Sequence, residues 1–149
     1  MYYNWFECKI SYVKMMEDGR LKKATEPYLV DALSFTEAEA RIVEEAKVFI
    51  SGEFIVKDIK RARLSETFLG EGDKYYKVKV SYITLDAQSG REKKTPAYML
   101  VQASTIDEAK SRLAEGMKGT MSDYVVESIT ETKVVDVFPY EEGKEKTNE

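Results

Sequence analysis

The chain repeats itself at an offset of 70 to 71 residues, and few folds accommodate such a repeat. Trp5-Phe6-Glu7-Cys8-Lys9-Ile10-Ser11-Tyr12 aligns with Tyr75-Tyr76-Lys77-Val78-Lys79-Val80-Ser81-Tyr82, and Gly19-Arg20-Leu21-Lys22-Lys23 with Gly90-Arg91-Glu92-Lys93-Lys94. Further on, Leu29-Val30-Asp31-Ala32 aligns with Leu100-Val101-Gln102-Ala103, Glu37-Ala38 with Glu108-Ala109, and Phe68 with Phe138. The matches keep their order through both halves. A tandem duplication is therefore expected, with each copy forming one supersecondary unit.

Each half reads as strand, hairpin, strand, helix, strand. In the first strand Phe6, Cys8, Ile10 and Tyr12 alternate with Trp5, Glu7, Lys9 and Ser11, the period of a strand with one face on a core. Asp18-Gly19 and Ser89-Gly90 mark the hairpin turns. Pro27 and Pro96, which cannot donate to a ladder, should lie at strand starts, edges or bulges. Ser34 with Glu37 and Thr105 with Glu108 have capping-box spacing and predict helix starts at equivalent places. Phe35, Ala38, Ile42, Ala46 and Phe49 then form one helical stripe, and Ile106, Ala109, Leu113 and Met117 another. A long last strand is expected near 54–68 in one half and 124–138 in the other.

The fold class that follows is α+β: a tandem duplication of a ββαβ unit, with mostly antiparallel sheet or sheets and two helices packed on them. At 149 residues the chain suits a single domain, 1–149, built of repeats over about 4–69 and 74–139. The segment 69–73 is the joint, and a polar, disordered tail is expected over 140–149.

Trp5-Phe6-Glu7-Cys8-Lys9, the run Glu26-Pro27-Tyr28-Leu29-Val30-Asp31-Ala32-Leu33-Ser34-Phe35-Thr36-Glu37-Ala38-Glu39-Ala40, and Glu115-Gly116-Met117-Lys118-Gly119-Thr120-Met121-Ser122-Asp123-Tyr124 carry a family resemblance. Together they resemble the uncharacterised domain-of-unknown-function family 4494, which occurs in Bacteroides-type gut bacteria and their phages. The resemblance covers nearly the whole chain. It implies a cytoplasmic or phage-encoded protein, and it brings no activity and no site residues.

Several kinds of chemistry are excluded by composition. The chain has no histidine and one cysteine, so it cannot build a Ser-His-Asp or Cys-His system, a His-containing metal site or an intrachain disulfide. The single cysteine fits a reducing compartment. No apolar run is long enough for a membrane helix, so no membrane partner is expected. The first six residues lack the basic region and apolar stretch of a signal peptide. Cys8 alternates with core residues and should behave as a small hydrophobe. Glu37, Glu44, Glu45, Glu108 and Glu115 mostly lie off the apolar stripes and read as solvated helix faces or caps. Glu37 with Arg41 and Glu108 with Arg112 have the spacing of helix-face ion pairs. Gly116-Met117-Lys118-Gly119-Thr120 follows a helix, whereas a phosphate cradle precedes one, so it reads as a helix stop. No catalytic residue, metal site or cofactor is expected.

Charge gives the positive signal. The net charge is −4, yet Arg20, Lys22 and Lys23 on one hairpin, and Arg91, Lys93 and Lys94 on the other, place cations at the same point of each repeat. Trp5 with Lys9 and Tyr75 with Lys79 share the strand face opposite the core stripe. Aromatic planes that stack bases, flanked by cations that track phosphates, are a common way to hold single-stranded nucleic acid. The leading expectation is a non-catalytic binding protein for single-stranded nucleic acid or another polyanion, contacting it through these ten residues. The same lysines also keep sheet edges from aggregating. In the last strands Glu127 and Glu131 stand where Lys57 and Arg61 stand, an asymmetry that suits head-to-tail protein contact. A protein-interaction or self-assembly module, with a protein partner or a second copy, is therefore the alternative reading. A nucleotide-like ligand held between the repeats, near the sheet face, the hairpins and the loop at Thr120 to Asp123, is the second.

Overall fold

The structure, a computed structural model, describes residues 4–140. The expected tail lies outside the described residues from 141 on. The elements are β1 (Trp5–Met15), β2 (Leu21–Asp31), α1 (Phe35–Phe49), β3 (Phe54–Ala62), β4 (Glu66–Phe68), β5 (Lys74–Leu85), β6 (Glu92–Ala103), α2 (Ile106–Gly116), β7 (Asp123–Glu131) and β8 (Asp136–Phe138). They form two four-stranded sheets, ordered β3-β1-β2-β8 and β4-β6-β5-β7, each mostly antiparallel and each carrying one helix. The protein is α+β.

The chain divides into two compact units. One takes the described residues up to Arg63 and from Val134 onward, and the other takes Leu64–Lys133. In the first unit, Phe6, Cys8, Ile10, Tyr28 and Val30 of the sheet meet Ala38, Ile42 and Ala46 of α1. In the second, Tyr76, Val78, Val80, Met99 and Val101 meet Ala109, Leu113 and Met117. Both helices start as their capping signals require: Ser34 accepts from the Glu37 N–H and Thr105 from the Glu108 N–H, each at 3.1 Å. Phe35, Phe49 and Ile106, at the borders of the apolar stripes, remain partly exposed.

The registers correspond closely. β1 pairs β2 with Cys8 opposite Tyr28, and β5 pairs β6 with Val78 opposite Met99. Each third strand bulges at the same place: the ladder slips between Lys9 and Ile10, leaving Lys57 without an opposite residue, and between Lys79 and Val80, leaving Glu127 so.

Two expectations are corrected. The long last strands are broken. β3 ends at Ala62, and β4 then pairs in parallel with β6 inside the second unit, where Phe68 stands opposite Val101. β7 ends at Glu131, and β8 pairs in parallel with β2, where Phe138 stands opposite Val30. Each unit is thus closed by a short strand encoded next to the other repeat's third strand. The turn-off is fixed by the Ser65 N–H donating to the Tyr98 carbonyl (2.8 Å) and the Val135 N–H to the Pro27 carbonyl (2.9 Å). Pro27 lies in β2 just before the stretch that β8 pairs, so one side of the strand is an edge there, as expected. Its carbonyl faces Val135, so its ring nitrogen points the same way, away from β1, and no β1–β2 bond is lost.

The helix-face ion pairs are replaced as well. Arg41 donates to the carbonyls of Asp31 and Pro139, the latter at 3.2 Å. Arg112 donates to the carbonyls of Gln102 and Glu71, the latter at 2.6 Å. A guanidinium presents several donors in a fixed fork, which suits neighbouring carbonyls at a strand end better than a single carboxylate across one helical turn.

Candidate functional site

The two hairpins carry the basic residues singled out in the sequence. At the first tip Gly19 takes a φ of +85°, and at the second Gly90 takes +70°, the region that a side chain disfavours. Asp18 accepts from the Arg20 N–H (3.0 Å) and from Arg20 Nε (2.6 Å), and these bonds lower its carboxyl pKa below the ordinary value. Asp86 plays the equivalent part at the second tip, accepting from the Gln88 N–H and the Ser89 hydroxyl, each at 3.0 Å, and it too is lowered. The turn thus places an aspartate beside the basic residues, and Arg20 is held in an ion pair.

The remaining cations are divided between faces. Lys22 stands opposite Lys14, on the face that carries the core stripe nearer the helix, while Lys23 stands opposite Val13, on the face of Lys9. Lys93 stands opposite Thr84 and Lys94 opposite Ile83, again on opposite faces. Arg20, Lys22, Lys23, Arg91, Lys93 and Lys94 are all exposed. They ring each tip without converging on one surface.

The stacking surface is not there. Trp5 and Tyr75 are each only 5% exposed, so neither offers a ring face to solvent. On the same sheet faces Leu29, Ser11 and Val137 in one unit, and Leu100 and Ser81 in the other, are buried too, and Lys9 and Lys79 are half-buried. Alternation separates two faces of a strand but does not say which of them is covered. A signal existed in the neighbouring strands: Tyr28-Leu29-Val30 and Tyr98-Met99-Leu100-Val101 are uninterrupted apolar runs, which mark strands buried on both sides.

What the tips do expose is apolar. Met15 is 70%, Leu21 67% and Leu85 72% exposed, and Val13 and Met16 join them on the first hairpin. Around that tip lies an open recess of about 790 Å³, bordered by Met15, Met16 and Leu21 together with Lys14, Asp18 and Lys22.

A polar cluster that sequence reading missed lies on the first sheet. Tyr12 and Tyr28 donate to the same oxygen of Glu26, at 2.8 and 3.1 Å, and Lys14 Nζ lies 3.8 Å from its other oxygen. Burial, reinforced by Glu26, pushes the Tyr12 phenol up to about 12 and raises that of Tyr28 as well. The only signal was Glu26 at a core-facing position opposite Ile10, where the second unit has Ala97 opposite Val80. Both phenols are held protonated, and their shared acceptor ties β1 to β2. Cys8 is fully buried and its thiol is pushed up to about 12, chiefly by burial with Glu7 and Asp58 adding to it, which suppresses the thiolate. Asp31 is buried, and burial raises its pKa against the opposing pull of the Tyr140 N–H, Arg41 and the Asn4 N–H. Among the described residues no three or more His, Cys, Asp or Glu gather as a metal site, and no helix is long and apolar enough to cross a membrane.

These features define an α+β protein of two similar units, whose exposed chemistry sits on projecting hairpins and open sheet edges. The chain belongs to the family described as Domain of unknown function (DUF4494), whose model matches residues 4–140. No curated protein and no solved structure matches it.

Proposed function

We propose that this protein is a non-catalytic interaction module that docks its two hairpin tips onto an acidic protein surface. The observation that carries the reading is the exposure of Met15, Leu21 and Leu85 beside Lys22, Lys23, Lys93 and Lys94. Apolar side chains ringed by cations match a partner that offers apolar contact within a negative field; the apolar part supplies affinity, and the charge steers and orients. The suppressed Cys8 thiolate and the protonated tyrosines support a role without catalysis. A buried free thiol also suits the cytoplasm, whether of a bacterium or of its phage-infected form.

The test is photo-crosslinking from Leu21 and from Leu85 in cells of the source organism, with and without Lys22→Glu/Lys23→Glu and Lys93→Glu/Lys94→Glu. The reading expects the same protein adduct from both positions, lost on charge reversal. No adduct, or one indifferent to the reversal, would refute it.

A second reading, polyanion binding by charge alone, is supported by the exposed lysines at equivalent places on both tips. Fluorescence anisotropy with labelled single-stranded DNA and RNA, at low and physiological salt, separates the two. Micromolar binding that weakens steeply with salt and vanishes in the reversed variants would favour nucleic acid over protein. The docking reading expects no saturable binding at physiological salt.

A further inference from the structure

Each sheet ends in an open strand, and the two open strands carry opposite charge. β3 is the last strand of one sheet and β7 the last of the other, and among the described residues each pairs with a strand on one side only. β3 bears Lys57, Lys60 and Arg61 against Asp58, whereas β7 bears Asp123, Glu127 and Glu131 with no cation of its own; Lys60 lies 3.9 Å from Glu7 and Glu131 3.7 Å from Lys74 on the neighbouring strands, so Lys57 and Glu127 lead the contrast. Both are among the most exposed strands of the molecule. Ile55 is 58% exposed, and Val125 and Val126 are exposed as well, so each edge combines unpaired backbone with branched apolar side chains.

We propose that β3 of one copy pairs with β7 of a second copy, adding strand to strand across the two molecules and joining them head to tail. An open edge is a template for another strand, and the charge pattern selects which one. Pairing β3 with β3 would set basic edge against basic edge, and β7 with β7 acid against acid; like charges directly opposite are destabilising. Only the mixed pairing brings Lys57, Lys60 and Arg61 to Asp123, Glu127 and Glu131. The bulges work in the same direction. They place Lys57 and Glu127 at equivalent points of the two edges, so the same position carries opposite charge on the two strands. Because the two surfaces differ, the contact is heterologous, so copies add into open chains or a ring instead of stopping at a two-fold dimer. The contact is separate from the hairpin tips and stands without them.

Charge reversal tests it through complementation. Lys57→Glu/Lys60→Glu makes both edges acidic, and Glu127→Lys/Glu131→Lys makes both basic. Mass by light scattering across a concentration series is the readout, with circular dichroism confirming that each variant keeps its fold. The wild type should gain mass with concentration and lose that gain at high salt. Each variant alone should stay monomeric, and mixing the two should restore association, since every acidic edge then finds a basic one. A wild type that stays monomeric at low salt, variants that associate like the wild type, or a mixture that remains monomeric would each overturn the proposal.

Discussion

The two units share an interior and differ at their boundaries. Their ladders match residue for residue, their third strands bulge at equivalent points, and their helices begin with equivalent caps. The fillings differ: Tyr28, Phe49 and Phe138 lie ring against ring in the first unit, at centroid distances of 5.2 to 6.4 Å, while Met99 and Met117 line the second core. A β-sheet core tolerates such exchange provided volume and pattern are kept. The open edges diverge in sign, from basic β3 to acidic β7. Two similar units can thus hold the same fold while presenting open edges of opposite charge.

Truncation of the helix anchors should break both units alike and by the largest amount. Ile42→Ala and Leu113→Ala remove fully or nearly fully buried side chains at equivalent places, and each should cost about 2–5 kcal/mol in chemical denaturation. A cost near zero in one unit would show that its helix does not hold its sheet.

Alkaline pH should destabilise the first unit. Cys8, Tyr12 and Tyr28 all have pKa values raised in the folded state, and all belong to the first unit. A raised folded value means that the native state keeps its proton while the unfolded chain releases it. Their contribution is therefore complete below the unfolded values, 9.0 for the thiol and 10.0 for the phenols, and is lost as pH rises through the folded ones. Val78 and Met99 stand where Cys8 and Tyr28 stand and do not titrate. The first unit should lose stability above about pH 9. Trp5, the sole tryptophan, reports on it: its buried emission should shift to the red in that range. An emission unchanged to pH 12 would contradict the assignment.

The helix ends give a smaller contrast. A Cβ on Gly116 would lie 2.5 Å from the Phe68 ring, whereas α1 already carries a side chain, Glu45, at the equivalent place. Gly116→Ala should cost about 1–3 kcal/mol by forcing Phe68 aside, read as a fall in melting temperature. Smallest and most symmetric are the caps: Ser34→Ala and Thr105→Ala should each cost about 1 kcal/mol, and unequal costs would show that one helix start is held by something other than its cap.

Much of this was legible in the sequence because the repeat doubled every signal. Strand alternation, the caps and the glycine turns each appeared twice in the same order. Cys8 could be placed in the core because its partners Phe6, Ile10 and Tyr12 share its phase. Non-local features were hidden. Nothing in Glu66–Phe68 says that this short strand leaves its repeat to lie beside β6, since strand partners are chosen by tertiary contact and not by local pattern. Alternation sets Trp5 and Tyr75 opposite the core stripe, but it ranks the two faces of a strand only relative to each other and does not show that both are covered. The i,i+4 spacing of Arg41 and Arg112 points to helical neighbours, because the carbonyls they bind leave no mark on sequence.

Amide hydrogen exchange at low and high protein concentration tests the central claim most directly, because it reads each edge separately. The account predicts that β1, β2, β5 and β6 are protected at every concentration. In β3 and β7 protection should rise together as concentration rises, while the tips at 13–23 and 83–94 stay unchanged. A profile independent of concentration, or a gain confined to one edge or to the tips, would contradict it.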